Sequence, residues 1–181
     1  SDGPQDTTIT IAVTSSDAGY TGLADKTVTA TTADDDSPGL SASQSGGSTL
    51  VTEAGSTDTF TVALTTQPLS NVVVTVTSSD TDEARVNGTS PATLTFTTGT
   101  WNTAQTVTVT GVDDDIDDGD QNTTITIAVD DDNSDNAFDG LADQTVTATT
   151  TDDDTAGYTL SGTTATVTEA GSTATFTVVL D

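Results

Sequence analysis

Apolar residues in this chain return at every second position. Phe60, Val62 and Leu64 are interleaved with Thr59, Thr61 and Ala63; Val72, Val74 and Val76 with Val73, Thr75 and Thr77; Leu94 and Phe96 with Thr95 and Thr97. Val107 and Val109, then Ile125, Ile127 and Val129, then Val146 and Ala148 follow the same rule. A period of two sends successive side chains to opposite faces of a strand, and Thr suits the pleated, half-buried surface that results. Each run therefore predicts a strand with one apolar face and one hydroxyl face. With a divided first strand over residues 40–52 there are seven, A to G, parted by Gly, Pro, Asn and Asp turns. Seven such strands in about 118 residues predict an all-β fold, an antiparallel immunoglobulin-like β-sandwich. Helix has almost no support.

The same strings recur at a fixed distance. TTITIAV begins at Thr7 and again 116 residues later at Thr123; VTEAGST begins at Val51 and again 116 later at Val167; TVTATT begins at Thr27 and again 118 later at Thr145. A period of that size is one compact domain, not a solenoid turn. Tandem repeats are expected with these bounds: 1–36 the closing strands F and G of one unit, 37–154 a complete unit, and 155–181 the opening strands A and B of the next. Neither outer piece has a facing sheet, so Ile9, Ile11 and Val13 at one end and Phe176, Val178 and Leu180 at the other lack partners. Flanking polypeptide or neighbouring subunits are expected to complete them.

Charge then separates the two ends of the sandwich. Lys and Arg total 2 against 29 acidic residues, a formal net charge of −27. High charge with few aromatics is the usual signature of disorder, but the strict alternation argues for a folded chain. In an antiparallel succession, the A–B, C–D and E–F connections share one pole with the end of G. Acid collects there: Glu53 in the first, Asp80, Asp82 and Glu83 in the second, Asp113, Asp114, Asp115, Asp117, Asp118 and Asp120 in the third, and Asp152, Asp153 and Asp154 after G. Two charges about 5 Å apart repel by roughly 0.8 kcal/mol even in water. Summed over such a cluster, that strains a domain whose stability is about 5–15 kcal/mol, and a bound cation would offset it. The chain has no Cys and no His, which leaves zinc and copper without their usual ligands, whereas Ca²⁺ takes oxygens in loose geometry. Asp is also a turn former and a surface solubiliser; the convergence of four connections on one pole is what favours an ion.

The trio VTEAGST, GVDDDIDDGDQN and TVTATTTDDDTAGYTL, in that order, resembles the Calx-beta domain of sodium/calcium exchangers, integrin β4 and many large bacterial surface proteins. The resemblance covers the complete unit and both flanking pieces. It implies calcium held by Glu53 after the first strand, by Asp113, Asp114 and Asp118 in the E–F loop, and by Asp152, Asp153 and Asp154 after strand G. Asp80 is the candidate from the C–D loop, beside Asp82 and Glu83. The D-D-D run recurs as Asp34, Asp35 and Asp36, and Glu53 recurs as Glu169; Asp2 stands where Asp118 does. Gly119 and Gln121 replace acids of the exchanger-type loop.

Other residues read as structural. Asp130, Asp131 and Asp132 lie at the opposite pole and become Thr14, Ser15 and Ser16 in the earlier copy, as solvated surface would. Trp101 is expected to cap one end of the core, and Phe138 with Leu141, recurring as Tyr20 and Leu23, to plug the long F–G loop down onto it. With no His, no Cys, no phosphate loop and no base beside a nucleophile, the chain is not expected to be an enzyme. Nucleic acid and anionic membrane are poor partners for such a field, and no apolar run reaches the roughly 20 residues of a spanning helix. The expected role is a calcium-rigidified stalk of a bacterial extracellular adhesin or surface fibre, with neighbouring repeats as its partners. A self-associating matrix filament and a calcium-sensing or ligand-binding module are the alternatives.

Overall fold

A computed structural model describes residues 3–180, so Asp2 lies outside the described residues. It is all-β. The first pair, β1 (Gln5–Ile11) and β2 (Lys26–Thr32), forms a separate two-stranded antiparallel sheet. A two-sheet unit follows. Its four-stranded sheet has the order β3 (Leu40–Gln44), β5 (Thr57–Leu64), β9 (Gln105–Gly111), β7 (Ala84–Val86). Its five-stranded sheet has the order β4 (Thr49–Thr52), β11 (Gln144–Thr151), β10 (Gln121–Val129), β6 (Val72–Ser78), β8 (Ala92–Phe96). Last, β12 (Tyr158–Leu160) pairs with β13 (Val178–Leu180).

The alternation read in the sequence is the alternation of burial. Phe60, Val62, Val72, Val74, Val76, Phe96, Val107, Val109, Ile125 and Ile127 all lie in one core between the two sheets, and the Thr residues between them face outward or lie half-buried. Trp101 is partly buried against that core and accepts the Leu64 N–H through its carbonyl.

The first strand is divided, as expected. β3 pairs antiparallel with β5, whereas β4 crosses to the other sheet and runs parallel to β11. Gly46 and Gly47, at φ 63° and 84°, make the turn between them, a conformation that side chains disfavour. Asp58 fastens this crossing: its carboxylate accepts from the Ser45 hydroxyl at 2.5 Å and from the Leu50 and Thr59 N–H groups at 2.9 and 2.7 Å. Those donors, the Ser45 hydroxyl first among them, hold its pKa below the ordinary carboxylate value.

The fourth strand departs from expectation. A single strand D around Leu94 and Phe96 is in fact two, because β7 joins the four-stranded sheet and β8 the five-stranded one. Asn87 and Gly88, at φ 49° and 74°, turn the chain between them, and Asn87 replaces a ladder partner by exchanging hydrogen bonds with Thr108. Two divided strands make nine where seven were expected.

The F–G loop is plugged as read. Phe138 is fully buried in the core and Leu141 packs against it. Its anchor, Asp135, was not singled out in the sequence. This buried carboxylate accepts the Leu69 and Ser70 N–H groups at 2.6 and 3.2 Å and the Ala137 N–H at 3.0 Å. Burial alone would raise its pKa, but the three backbone donors outweigh it and the pKa is lowered. Asp131–Asn133 form a short 3-10 turn at the same pole, with Asp131 and Asp132 exposed.

Chain entrance and exit lie at opposite poles. The Thr65 N–H bonds the Gly39 carbonyl where β3 begins, at the pole of Phe138; β11 ends at Thr151, at the acidic pole. The outer sheets repeat the registers of the unit. Thr7 faces Ala30 as Thr123 faces Ala148, and Tyr158 faces Leu180 as Leu40 faces Leu64.

Candidate metal centre

The candidate centre follows from the parity of two neighbouring strands. On β4 the inward positions are Thr49 and Val51, and the next in that phase is Glu53, only 1% exposed. On β11 they are Val146, Ala148 and Thr150, and the phase continues through Asp152 and Asp154. Because β4 runs parallel to β11 with Val51 opposite Thr150, the Glu53 and Asp152 positions come next to each other. The Glu53 N–H extends the ladder to the Thr151 carbonyl at 3.1 Å. Glu53, Asp152 and Asp154 each place a carboxylate oxygen within 4.8 Å of the others.

The same parity turns Asp153 away. It is exposed, and its contribution is a backbone N–H donated to Glu53 Oε2 at 3.3 Å. Asp152 is held by its neighbours: Oδ2 accepts the Gly119 N–H at 2.7 Å, Oδ1 accepts the Asp154 N–H at 2.8 Å, and its own N–H reaches Asp120 Oδ1 at 3.3 Å. Gly119, at φ 74°, turns the loop so that its N–H meets Asp152. The loop therefore supplies a donor at the position where the exchanger-type pattern has an acid.

Two further connections close on this trio. The Val112 N–H and the Thr150 hydroxyl both donate to the Glu83 carbonyl, at 2.9 and 3.2 Å, which ties the β6–β7 connection to the β9–β10 loop and to β11. Of the three C–D candidates, Glu83 is the half-buried one, and its Oε2 is buried without a hydrogen-bond partner. Asp80 and Asp82 are exposed, Asp80 Oδ1 accepting the Asp82 N–H at 3.0 Å. In the E–F loop Asp114 is half-buried, whereas Asp113 and Asp118 are exposed. Asp113 shares with Glu53 and Arg85 a hollow of about 440 Å³.

The electrostatics register the crowding. Burial raises the pKa of Glu53, and the charges of Asp152, Asp114 and Glu83 raise it further against the Asp153 N–H, which lowers it. Burial likewise raises Glu83, with Asp118, Asp80, Asp114 and Asp82 adding to it. Asp154 is raised by burial and then by Asp115, Asp152, Asp153 and Asp113, and its Oδ2 is a second buried oxygen without a partner. All of these donors are carboxylates, the ligand type of a hard divalent cation. The unpartnered oxygens of Glu83 and Asp154 are the acceptors such a cation would satisfy.

Asp34, Asp35 and Asp36 reproduce the other strand's half of this centre. Asp34 Oδ2 accepts the Gly3 N–H at 2.7 Å and Oδ1 accepts the Asp36 N–H at 3.0 Å, the contacts of Asp152 one repeat later. Asp35 and Asp36 are exposed and Asp34 is half-buried.

Gly111 sets how closely the acidic loop approaches Glu53. A Cβ there would collide with the Thr52 carbonyl oxygen and stand 2.8 Å from its carbon. Gly111→Ala is therefore expected to push β9 away from β4 and cost about 1–3 kcal/mol of stability, read by urea unfolding. An unchanged midpoint would show that this close approach is not needed.

No family model matches the chain, and no curated protein matches it either. Among solved structures, the chain is similar to an apo-form Calx CBD1 domain at 15% identity and a TM-score of 0.41, over 64% of this chain and 98% of that one. It is also similar to CBD12 from CALX1.2 at 16% identity and a TM-score of 0.40, over 71% of this chain and 51% of that one, about half its length.

Proposed function

We propose that this chain is a calcium-binding segment of tandem β-sandwich units that serves as a stiff spacer, the stalk of a bacterial extracellular fibre or adhesin. One observation carries the calcium reading. A fully buried Glu53 is held beside Asp152 and Asp154, in a donor set made only of carboxylates. Calcium there would neutralise the cluster and join β4, β11 and the E–F loop. Glu53, Asp152, Asp154, Glu83 and Asp114 are the residues that would hold it; the motif resemblance shares Glu53, Asp114, Asp152 and Asp154 with this set, while Asp113, Asp118 and Asp153, which it also implied, are exposed.

The spacer reading has other support. Consecutive copies are nearly identical in their motifs, which suits a repeated strut better than a tip domain needed once. The D-D-D run leads at once, through Thr155 and Ala156, toward β12, and Asp117 Oδ2 accepts the Ala156 N–H at 2.8 Å. The acidic loop thus grips the connecting segment, so an ion bound beside it would stiffen the junction as well as the pole. Extracellular calcium modules bind at about 10⁻⁴–10⁻³ M, which matches millimolar calcium outside cells. Small-angle X-ray scattering of the chain tests this role. Calcium should raise its maximum dimension and lower its flexibility relative to chelator, and identical profiles would remove the spacer reading.

A further inference from the structure

The two edges of the five-stranded sheet are finished differently. At one edge, β4 turns the Leu50 and Thr52 N–H groups away from β11, and both are taken, by Asp58 Oδ2 at 2.9 Å and by the Ser56 hydroxyl at 2.8 Å. At the other edge lies β8. Val73 of β6 directs its backbone to the β10 side: its N–H donates to the Ser134 hydroxyl at 2.9 Å, and its carbonyl accepts the Asp130 N–H at 2.9 Å. Thr95 stands opposite Val73, and Thr93 opposite Thr75. These are therefore the pairs of the ladder that exchange no hydrogen bonds, and the N–H and carbonyl of Thr93 and Thr95 point outward along the edge. Among the described residues one side chain meets them, as Gln105 Nε2 donates to the Thr95 carbonyl at 2.8 Å. The open stretch is bounded on both sides. Pro91 has no N–H to offer, and the Thr97 N–H is taken by the Thr100 hydroxyl at 3.3 Å.

An open edge is a template for another strand, and natural sheets guard one with charge. Here the guard is missing. Residues 59–79 carry no charged side chain and residues 84–112 carry Arg85 alone, in a chain with 29 acidic residues. All of β6, β8 and β9 falls in those stretches, as does the turn that holds Trp101. This flank is where two such polyanions can approach without opposing carboxylates, and that selects a second copy of the chain as the occupant of the edge.

We propose that β8 pairs antiparallel with β8 of a second copy about a two-fold axis at Leu94, joining the two five-stranded sheets into one. Thr93 of each copy then faces Thr95 of the other, and each such pair exchanges two N–H···O bonds. Their side chains lie next to each other on the outer face, where a Thr–Thr pair is favourable. The register follows from the bounds, because Pro91 and Thr97 are equally far from Leu94. The contact is isologous and closes at two copies. Gln105 must release the Thr95 carbonyl to the Thr93 N–H of the other copy, which makes it the latch of this edge. No carboxylate takes part, so the pairing stands apart from the calcium reading.

Sedimentation equilibrium of the full 181-residue chain over a concentration series, in chelator and at low and high sodium chloride, tests the proposal. The expected result is a reversible monomer–dimer equilibrium that is stronger at high salt, because screening lowers the repulsion between copies of charge −27. Thr95→Pro removes an outward N–H and no bond to β6, a change that an edge strand tolerates. It should weaken dimerisation roughly tenfold, since the two-fold axis deletes two hydrogen bonds at once. Gln105→Ala, which uncovers the Thr95 carbonyl, should strengthen dimerisation, and a weaker dimer there would overturn the latch. Thermal unfolding shows whether Thr95→Pro is folded; if it is not, Thr93→Glu, which keeps the backbone and sets a charge in the contact, takes its place with the same expected loss. A chain that stays monomeric at every concentration and salt overturns the proposal. So do dimers that the folded edge variant leaves unchanged, dimers that weaken as salt is added, and association that grows beyond two copies.

Discussion

Phe138→Ala is expected to lower the stability of the central unit by about 3–5 kcal/mol, a fall in melting temperature on the order of 15 °C. The ring is fully buried and closes one end of the core. The Phe138 N–H bonds the Asp135 carbonyl at 2.8 Å, and the Asp135 carboxylate in turn fastens residues 69 and 70. Removing the ring therefore leaves a cavity and loosens two loops together. Thermal unfolding followed by circular dichroism checks this, and a loss below about 1 kcal/mol would mean that the loop is carried by Asp135 alone. In the outer copy the matching Tyr20 is 55% exposed, so Tyr20→Ala should leave the melting of the central unit unchanged.

The second large effect is a stability that depends jointly on calcium and pH. Glu53, Glu83 and Asp154 have folded pKa values raised above their ordinary ones. Between the unfolded values, about 4.3 for Glu and 3.9 for Asp, and the folded ones, the native state holds more protons than the unfolded chain. Stability of the metal-free protein must then fall as pH rises through that window. Asp58 and Asp135 are shifted the other way. Their contribution is fully present above about pH 3.9 and is lost only as pH falls through their lowered folded values. Metal-free protein should therefore be most stable on the acid side of neutrality. At neutral pH, calcium at 100 times its dissociation constant should restore about 2.7 kcal/mol per site, a rise of roughly 10 °C. That gain should shrink as acid protonates the same carboxylates. Melting curves between pH 4 and 8, in calcium and in chelator, decide the matter: a metal-free protein more stable at neutral pH than at pH 5 would contradict the strained cluster.

Much of this architecture was legible because a period of two is read without knowing any contact. The apolar positions of β5, β6, β9 and β10 are the buried ones, and the divided first strand expected over 40–52 breaks at Gly46 and Gly47. The division of the fourth strand was not. Ala84 and Val86 are only two apolar positions, too few for periodicity to register, and the turn at Asn87 depends on a backbone conformation that composition does not display.

For the acidic pole, the convergence of the four connections followed from strand direction alone. Which carboxylates face inward does not follow from it, because strand direction places Asp152, Asp153 and Asp154 at the pole as one block. Parity was the available signal: counting by two from Val146 and Ala148 passes through Asp152 and Asp154 and skips Asp153, and counting from Val51 lands on Glu53. Glu83 was harder to separate from Asp80 and Asp82. Its burial comes from the Val112 and Thr150 contacts, which join segments distant in sequence. Asp135 escaped notice because its partners are backbone N–H groups of another loop, invisible to any side-chain pattern.

A divalent cation held by Glu53, Asp152 and Asp154 is what the proposed function requires. Calcium titration calorimetry of the full chain beside its Glu53→Gln variant tests it most directly, run in two buffers of different ionisation heat. Saturable binding near 10⁻⁴–10⁻³ M is expected, with protons released from the raised carboxyls, and loss of at least one site in the variant. No binding heat in either buffer, or an isotherm that Glu53→Gln leaves unchanged, would contradict it.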